Sequence, residues 1–581
     1  MTAFLGVSAS ATGRKWVGLS ENDDRLAQSI AQQTGLPATL ARTLARLGVA
    51  AENATAYLAP SLRDLMPNPS IFRDMDTAAE RITQAIAKHQ TIAIFADYDV
   101  DGGSSAALLI DYLRNFNIPA TLFVPDRIDE GYGPNEPAMA DLAARHDLII
   151  CVDCGTLSHD AIAAAKGADV IVLDHHMGGE TLPPALAVVN PNRQDEDSEF
   201  GNLCAAGVVF LTLVAVNRNL RENGEKTPDL MALLDLVALA TVADVAPLTG
   251  LNRALVRQGL KVMGQRNRVG LAALSDAARL TSAPNSYHLG FALGPRINAG
   301  GRIGKADLGA RLLATTNPDE AQAMADQLSQ LNDDRREIEA QVRLLAMEQA
   351  EERGFDAPLV WAAGKNWHPG VVGIVASRLK ETSNRPAIVI GLEGGEGKGS
   401  GRSVTGIDLG SAIATCAREG LLLKGGGHKM AAGLTVAEDK LEAAMDRLGE
   451  LLRKQGADKI GPKDLRLDGS VMPSAITTEL VEQLEMAGPF GAGAPAPRFA
   501  LPAQKIAFAK RAGESHLRLT AQDANGGRID AICFGAFDGP IGPMLENHKG
   551  QSFHLAGRLE IDEWGGRRKA KLRLEDVAPA E

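Results

Sequence analysis

Asp97-Tyr98-Asp99-Val100-Asp101-Gly102 puts three carboxylates at alternate positions directly after the apolar run Thr91-Ile92-Ala93-Ile94-Phe95-Ala96. Negative charges this close repel one another, and folding them together calls for divalent cations to neutralise them. The pattern recurs along the chain. Leu148 to Val152 is apolar and ends in Asp153, and Val170 to Leu173 ends in Asp174-His175-His176. Asp244, in Ala240-Thr241-Val242-Ala243-Asp244, follows a long apolar helical stretch. One Asp at the end of a strand is most often a cap, and an isolated His-His a structural pair. Four such placements together predict a metal site. Carboxylate with imidazole suits Mn2+ or Mg2+ better than Zn2+. So many carboxylates exceed what one ion needs, which favours a two-metal centre of the hydrolytic type.

These groups meet only if the apolar runs are neighbouring strands. The first has the length and β-branched content of a buried parallel strand, and Ser104 to Asn115 reads as the helix after it. The acidic groups then collect at carboxyl ends of strands, where open α/β sheets bind their ligands. Over residues 70–316 strands and helices alternate, giving a parallel sheet with helices on both faces. Residues 1–69 form an Ala/Leu-rich helical lead-in, with Pro60, Pro67 and Pro69 marking an irregular link. Residues 317–354, opened by Asn317-Pro318, read as one long charged helix connecting domains. Residues 355–456 form a smaller α/β unit, with strands at Leu359-Val360-Trp361 and Ala387 to Ile390 and helices over Val371 to Lys380 and Lys440 to Arg453. Residues 460–578 are short strands with Gly turns and one helix near Ile476 to Met486, the pattern of a small barrel.

The chain has 581 residues, enough for several cores, and 45% of them are hydrophobic. No apolar run approaches the roughly 18 residues of a membrane span, and Met1 to Gly18 lacks the apolar stretch of a secretory signal. Five scattered Cys predict a reducing, cytoplasmic setting. Cys151 and Cys154 straddle a strand end without a second CxxC, which argues against zinc there. The net charge of −12 argues against general adhesion to polyanions and leaves local patches for nucleic acid. Arg567-Arg568-Lys569-Ala570-Lys571-Leu572-Arg573, preceded by Trp564, is one such patch. Basic residues beside an aromatic suit a single strand; the competing reading is an edge strand protected by Lys and Arg.

Two further stretches read as glycine-rich loops, which either suit phosphate or form a plain hairpin turn. Gly425-Gly426-Gly427-His428 lets a backbone approach an anion, with His428 as a donor, and Ser400-Gly401-Arg402-Ser403 sets a guanidinium among hydroxyls and glycines. Arg127 and Tyr132, on a loop after a strand, suit a terminal phosphate and its base; the competing reading pairs Arg127 with Asp129 or Glu130 at the surface. His368, before Pro369-Gly370, suits either a ligand contact or a helix cap.

DYDVDG, VDCG, DHH and TVADVAP resemble, in order, the four motifs of the DHH phosphoesterase superfamily. Gly294-Pro295-Arg296-Ile297-Asn298-Ala299-Gly300-Gly301-Arg302, Trp367-His368-Pro369-Gly370, Ser400-Gly401-Arg402-Ser403 and Gly425-Gly426-Gly427-His428 resemble its associated domain and the junction to it. With the C-terminal region included, the chain resembles the bacterial RecJ family of single-strand-specific 5′→3′ DNA exonucleases, over nearly its whole length. The resemblance implies an oligonucleotide-binding (OB-like) barrel, two Mn2+ or Mg2+ ions, single-stranded DNA as substrate, and a monomer working with a single-strand-binding protein and a helicase in repair and recombination. It implies Asp99 and Asp153 at one metal, with Asp97 as ligand or hydrogen-bond acceptor beside it. Asp101, His175 and Asp244 then surround the other, with Asp153 between the two. His176 contacts phosphate or orients water, Arg296 and Arg302 stabilise the departing group, and Arg127, Tyr132, Ser400, Arg402, Gly426, Gly427 and His428 hold the strand end.

Within the superfamily, manganese pyrophosphatases need a His four residues before the first Asp of their DxD, where this chain has Phe95. Phosphodiesterases of short oligonucleotides such as nanoRNA are typically shorter or carry membrane and sensor modules. A scaffold that lost its metals would not keep the complete acidic set.

Overall fold

The computed structural model describes residues 2–126, 130–563 and 567–580. Arg127 and Trp564 lie outside them.

The apolar runs are strands. β1 (Ile92–Ala96), β2 (Ala120–Phe123), β3 (Leu148–Val152), β4 (Asp169–Leu173) and β5 (Ala187–Val189) form an all-parallel sheet in the order β2-β1-β3-β4-β5. Every residue of β1 and β3 is buried, as a sheet covered on both faces requires. Ile94, Ile150 and Ile171 pack into one core with α1 (Met75–Ala87), α2 (Val100–Arg114), α3 (Ala205–Glu222) and α4 (Leu234–Ala243). Phe95, Ile149 and Val172 pack into another on the opposite face, with Met139 and Ile162.

After α5 (Gly294–Ile303) comes α6 (Pro318–Arg353), whose 36 residues span about 54 Å. Asn317 Oδ1 caps it by accepting from Asp319 and Glu320 N–H. Ala321, Ala325 and Leu328 near its start belong to the core of the parallel-sheet unit. Val342, Ala346 and Ala350 near its end belong to the core of the next. One helix embedded in both cores fixes the two units to each other.

The second unit has β6 (Val360–Lys365), α7 (Pro369–Ser383), β7 (Ala387–Glu393), β8 (Glu396–Arg402), β9 (Lys424–His428) and β10 (Ala431–Ala437), in the order β9-β10-β8-β7-β6, with only β6 and β7 parallel. The glycine-rich stretches read as loops are therefore strands. A Cβ at Gly397, Gly399 or Gly401 would stand 2.7, 2.8 and 2.7 Å from Ile390, Ile390 and Leu409, so the packing itself demands glycine.

The C-terminal unit is a closed five-stranded barrel of β11 (Phe499–Ala512), β12 (His516–Gln522), β13 (Arg528–Cys533), β14 (Ser552–Asp562) and β15 (Lys569–Pro579), shut by pairing of β11 with β14. Besides the expected helix, at Thr478–Glu485, a second at Ile541–Glu546 follows β13. It is too short for a periodic pattern to show. The N-terminal segment is more than helical. Trp16 and Val17 pair in parallel with Leu465 and Arg466, and the buried Trp16 Nε1 donates to Asp576 at 2.9 Å. Arg253, also buried, lies 4.0 Å over the Tyr57 ring and donates to the Ala487 carbonyl. Lead-in, parallel-sheet unit and barrel approach are thus clamped at one point.

Candidate metal centre

Three parallel strands end on acid. Asp97 follows β1, Asp153 follows β3 and Asp174 follows β4, and all three are buried. Asp99 caps α2, its Oδ1 accepting from Asp101 N at 2.8 Å and Gly102 N at 3.1 Å. Asp101, in the first turn, accepts from Ala205 N at 2.6 Å and Ala206 N at 2.8 Å, so the positive end of α3 backs it. Asp244 caps the C-terminus of α4. Gly102 makes the turn possible, since a Cβ there would sit 2.4 Å from the Asp97 carbonyl.

The ligand atoms fall into three overlapping groups, each within 4.8 Å: Asp97, Asp99 and Asp153; Asp101, His175 and Asp244; Asp153, His175 and His176. Asp153 and His175 are each shared. His175 Nε2 lies 3.2 Å from Asp153 Oδ1 and 3.7 Å from Asp101, with Nδ1 3.8 Å from Asp244. Two residues are held with left-handed backbones, Asp153 at φ 59° and Val245, beside Asp244, at φ 60°. For a β-branched residue that conformation is strained, and such strain gathers at functional sites.

The electrostatics fit a cation-binding role. Burial, then the charges of Asp101, Asp99 and Asp97, push Asp153 well above the usual carboxylate range. Burial likewise raises Asp101, and burial with Asp101 and Asp99 pushes Asp244 up to about 8. Asp153 Oδ1 is fully buried and accepts no hydrogen bond from the described residues. Carboxylates packed like this ionise together only with added positive charge, and hard oxygen donors with imidazole suit Mn2+ or Mg2+.

A second set of residues, missed from sequence as site residues, holds the histidines. Asp174 Oδ1 accepts from His175 N at 2.7 Å, His176 N at 3.2 Å and His176 Nδ1 at 2.8 Å, and its Oδ2 from Thr156 N at 3.1 Å. Burial works against charge on Asp174 and His176 alike. Their mutual bond still holds Asp174 well below the carboxylate range and raises His176 to about 9. Asn190 Nδ2 donates to the His176 carbonyl and Asn192 Nδ2 to the His175 carbonyl. Both asparagines follow β5, so reading strand ends one strand further would have found them. Asn298 Oδ1 accepts from Val100 N at 3.1 Å and ties α5 to the acid turn.

Around this centre the expected strand-binding residues take varied places. Tyr132 Oη donates to the Asp153 carbonyl at 3.0 Å, and its ring stays exposed. Arg302 donates to the Gly370 carbonyl and lines a cleft of about 550 Å³ with Arg335, Arg336, Arg343, Arg378 and the exposed rings of Tyr287 and Phe291. Arg296 donates to the Ala292 carbonyl and to Ser329 on α6. His368 caps α7, Nδ1 accepting from Gly370 N. Arg402 donates to Ser400 Oγ at 2.9 Å, and both lie against Gly373 of α7, where a Cβ would stand 3.0 Å from each. Gly426 has open space around it and His428 is exposed. The expected basic patch is largely compensated: Arg568 pairs with Glu482 and Glu563, Lys571 with Asp562 and Arg573 with Glu560.

Three family profiles match: DHH family, N-terminal domain, over residues 91–241; DHHA1 domain over 356–454; RecJ OB domain over 467–576. The chain is 38% identical over 573 residues to the single-stranded-DNA-specific exonuclease RecJ of Dickeya dadantii (strain 3937), covering 94% of this chain and 96% of that one. It is 35% identical over 568 residues to the RecJ of Escherichia coli (strain K12), with the same coverage. Its fold superposes on the crystal structure of RecJ in complex with Mn2+ from Thermus thermophilus with a TM-score of 0.79 at 29% identity, covering 97% of this chain and 79% of that one. With all three profiles matched and relatives aligned almost end to end, the chain belongs to the RecJ family of single-stranded-DNA-specific exonucleases.

Proposed function

We propose that the chain removes nucleotides from the 5′ end of single-stranded DNA by two-metal phosphodiester hydrolysis. Asp97, Asp99 and Asp153 hold one Mn2+ or Mg2+, and Asp101, His175 and Asp244 hold the other. When bound, the two cations polarise the scissile phosphate and activate water. Asp153 lies between the two sets, and the α3 N-terminus fixes the rotamer of Asp101. His176, oriented by Asp174, offers a proton to a phosphate oxygen. The arginines of the cleft, Arg302 among them, take the backbone phosphates that follow. Arg402 with Ser400 grips the 5′ phosphate, the exposed ring of Tyr132 stacks the terminal base, and Gly426, Gly427 and His428 offer donors along β9. Arg296 supports α5 against α6 in this reading, and His368 sets the start of α7.

The observation that carries the proposal is the sharing of Asp153 and His175 among three ligand groups at one rim of the parallel sheet. We further propose that the enzyme acts as a monomer, in the cytoplasm, on strands that a helicase and a single-strand-binding protein make available. Strands labelled at either end, with and without a 5′ phosphate, test it in Mn2+, Mg2+ and chelator. The expected result is stepwise loss of the 5′ label as mononucleotide, abolished by chelator. Loss of the 3′ label first rejects the polarity, and cleavage in chelator rejects the metals.

A further inference from the structure

α4 reads Leu-Asp-Leu-Val-Ala-Leu-Ala-Thr-Val-Ala, with Asp235 its only charged residue, and Leu234 through Thr241 are buried. A helix apolar on all sides is held by shape, and nothing polar marks its place along its own axis. Thr241 donates within the helix, to the Val237 carbonyl, and lies 3.5 Å from the Cys204 thiol, a weak partner. Yet Asp244, which ends this helix, must stand within a few tenths of an ångström to share a cation with Asp101 and His175. Sliding the helix by a single residue would move it about 1.5 Å.

Asp235 is where α4 is pinned. Arg268, just before the helix at Val269–Ala277, donates from Nε to Asp235 Oδ2 at 2.8 Å and from Nη2 to Oδ1 at 3.3 Å. Its Nη1 donates to Asp111 of α2 and to the Leu313 carbonyl. Arg114 donates to the other Asp111 oxygen and to the Ala314 carbonyl, so two cations balance two carboxylates. The side chains of Arg268, Asp235 and Asp111 are only 11%, 5% and 14% exposed, which shields the network from water and salt.

This network sits opposite the metal centre. α2 and α4 pack against each other. Asp101 comes ten residues before Asp111, and Asp244 nine after Asp235, so the two arms are about 15 and 14 Å long. The helices run antiparallel, bridged at one end by Arg268 and carrying Asp101 and Asp244 of one ligand group at the other. α3 needs no such bridge. It is bonded to α2 at both ends, through Asp101 on its first N–H groups and through Tyr112 Oη, which donates to Asn217 at 2.7 Å. Among the described residues no hydrogen bond joins α4 to α2 directly.

We infer that Arg268 is a positioning residue for the second cation: it fixes α4 against α2 along their axes, and thereby Asp244 against Asp101. Stability alone does not account for the network, because buried ion pairs are often replaced by apolar residues without loss. Setting the register of packed helices is the best-attested use of such groups. This inference rests on the proposal that Asp101, His175 and Asp244 hold one of two cations.

The test replaces the network by apolar side chains, in the variant Asp111→Leu, Asp235→Leu, Arg268→Met. Its urea midpoint is compared with wild type, and Mn2+ binding is followed without DNA by calorimetry and by the spin coupling of paired ions. The expected result is an unchanged midpoint, a first Mn2+ bound as in wild type, and a second bound about tenfold more weakly, the low end for partners beyond the ligands themselves. The coupled signal is lost at Mn2+ levels that saturate wild type, and half-maximal activity needs about tenfold more Mn2+. Arg268→Lys keeps the charge but not the fork, and weakens the second ion less than the triple variant does. Two ions bound as in wild type overturn the inference, since packing alone would then place Asp244. Equal weakening of both ions also overturns it and makes the network a general support of the fold. If the triple variant does not fold, Arg268→Lys decides: an unchanged second affinity rejects the positioning role. A wild-type chain that binds a single Mn2+ rejects the two-metal reading itself.

Discussion

The two α/β units put their sheets to opposite uses. The parallel sheet ends its strands on the side chains of the candidate metal centre, Asp97, Asp153 and Asp174 with the two histidines. The second sheet strips side chains away. β8 runs Glu-Gly-Lys-Gly-Ser-Gly-Arg and β9 Lys-Gly-Gly-Gly-His, and the bare backbone lets α7 close on Ser400 and Arg402 through Gly373. One surface concentrates charge at strand ends and the other creates room between elements. A catalytic centre needs the first, and a strand-end holder needs the second.

The comparison breaks most sharply at Asp153. If the strand ends carry the chemistry, Asp153→Asn loses at least about 10³-fold in kcat with saturating Mn2+, since outer partners of metal ligands alone cost about 10–100-fold and this residue is shared. Burial of an amide in place of the raised carboxyl leaves the fold intact, as circular dichroism would confirm. Turnover within tenfold of wild type would show that the acid cluster does something else.

This difference also decides what the sequence discloses. Apolar strand, then acid, then glycine is a pattern of side chains, so β1, β3, β4 and the groups after them can be read directly. α6 announces itself through Asn317-Pro318 and its length. In the second unit the same reading turns strands into loops, because glycine in a strand is counted as a breaker although tertiary packing against Ile390, Leu409 and Leu434 selects it. Arg568 looks basic in a string of letters, but its carboxylate partner Glu482 is 86 residues away. Asp174, Asn190 and Asn192 lay open to the strand-end rule, and only their hydrogen bonds give them the role of holding the histidines.

Asp174→Asn asks whether strand ends suffice on their own. The variant keeps size and shape but weakens the bond to His176 Nδ1 and the pair of backbone donors at Oδ1. A loss of about 10–100-fold in kcat with metal content preserved is the expected outcome. Loss of bound Mn2+ in parallel with activity would instead place Asp174 among the ligands.

Gly399→Val tests the opposite use. A Cβ there already stands 2.8 Å from Ile390 and 3.1 Å from Leu434, and two further methyls overfill the layer. We expect about 1–3 kcal/mol of destabilisation by urea unfolding, and weaker binding of strand ends if α7 is displaced. A variant as stable as wild type would mean that β8 needs no bareness.

The smallest expected effect concerns Arg402, where the two units must cooperate. An exonuclease distinguishes an end from a continuous strand, and a terminal phosphate offers a guanidinium extra charge. Arg402 stands at the end of the stripped strand, with Nη1 donating to Ser400 and the Gly401 carbonyl, which fixes the orientation of the guanidinium. One charge-assisted contact is worth about 1.5–3 kcal/mol, so Arg402→Ala should weaken 5′-phosphorylated strands by about tenfold or more in KM. The same strands with a 5′ hydroxyl should change much less, and kcat should stay within a few-fold. Arg402→Lys should recover part of the preference, since a point charge remains where the fork is lost. If phosphorylated and hydroxyl strands slow by one common factor, Arg402 serves the scissile phosphate or the packing of α7, and strand-end reading belongs to the parallel-sheet unit alone.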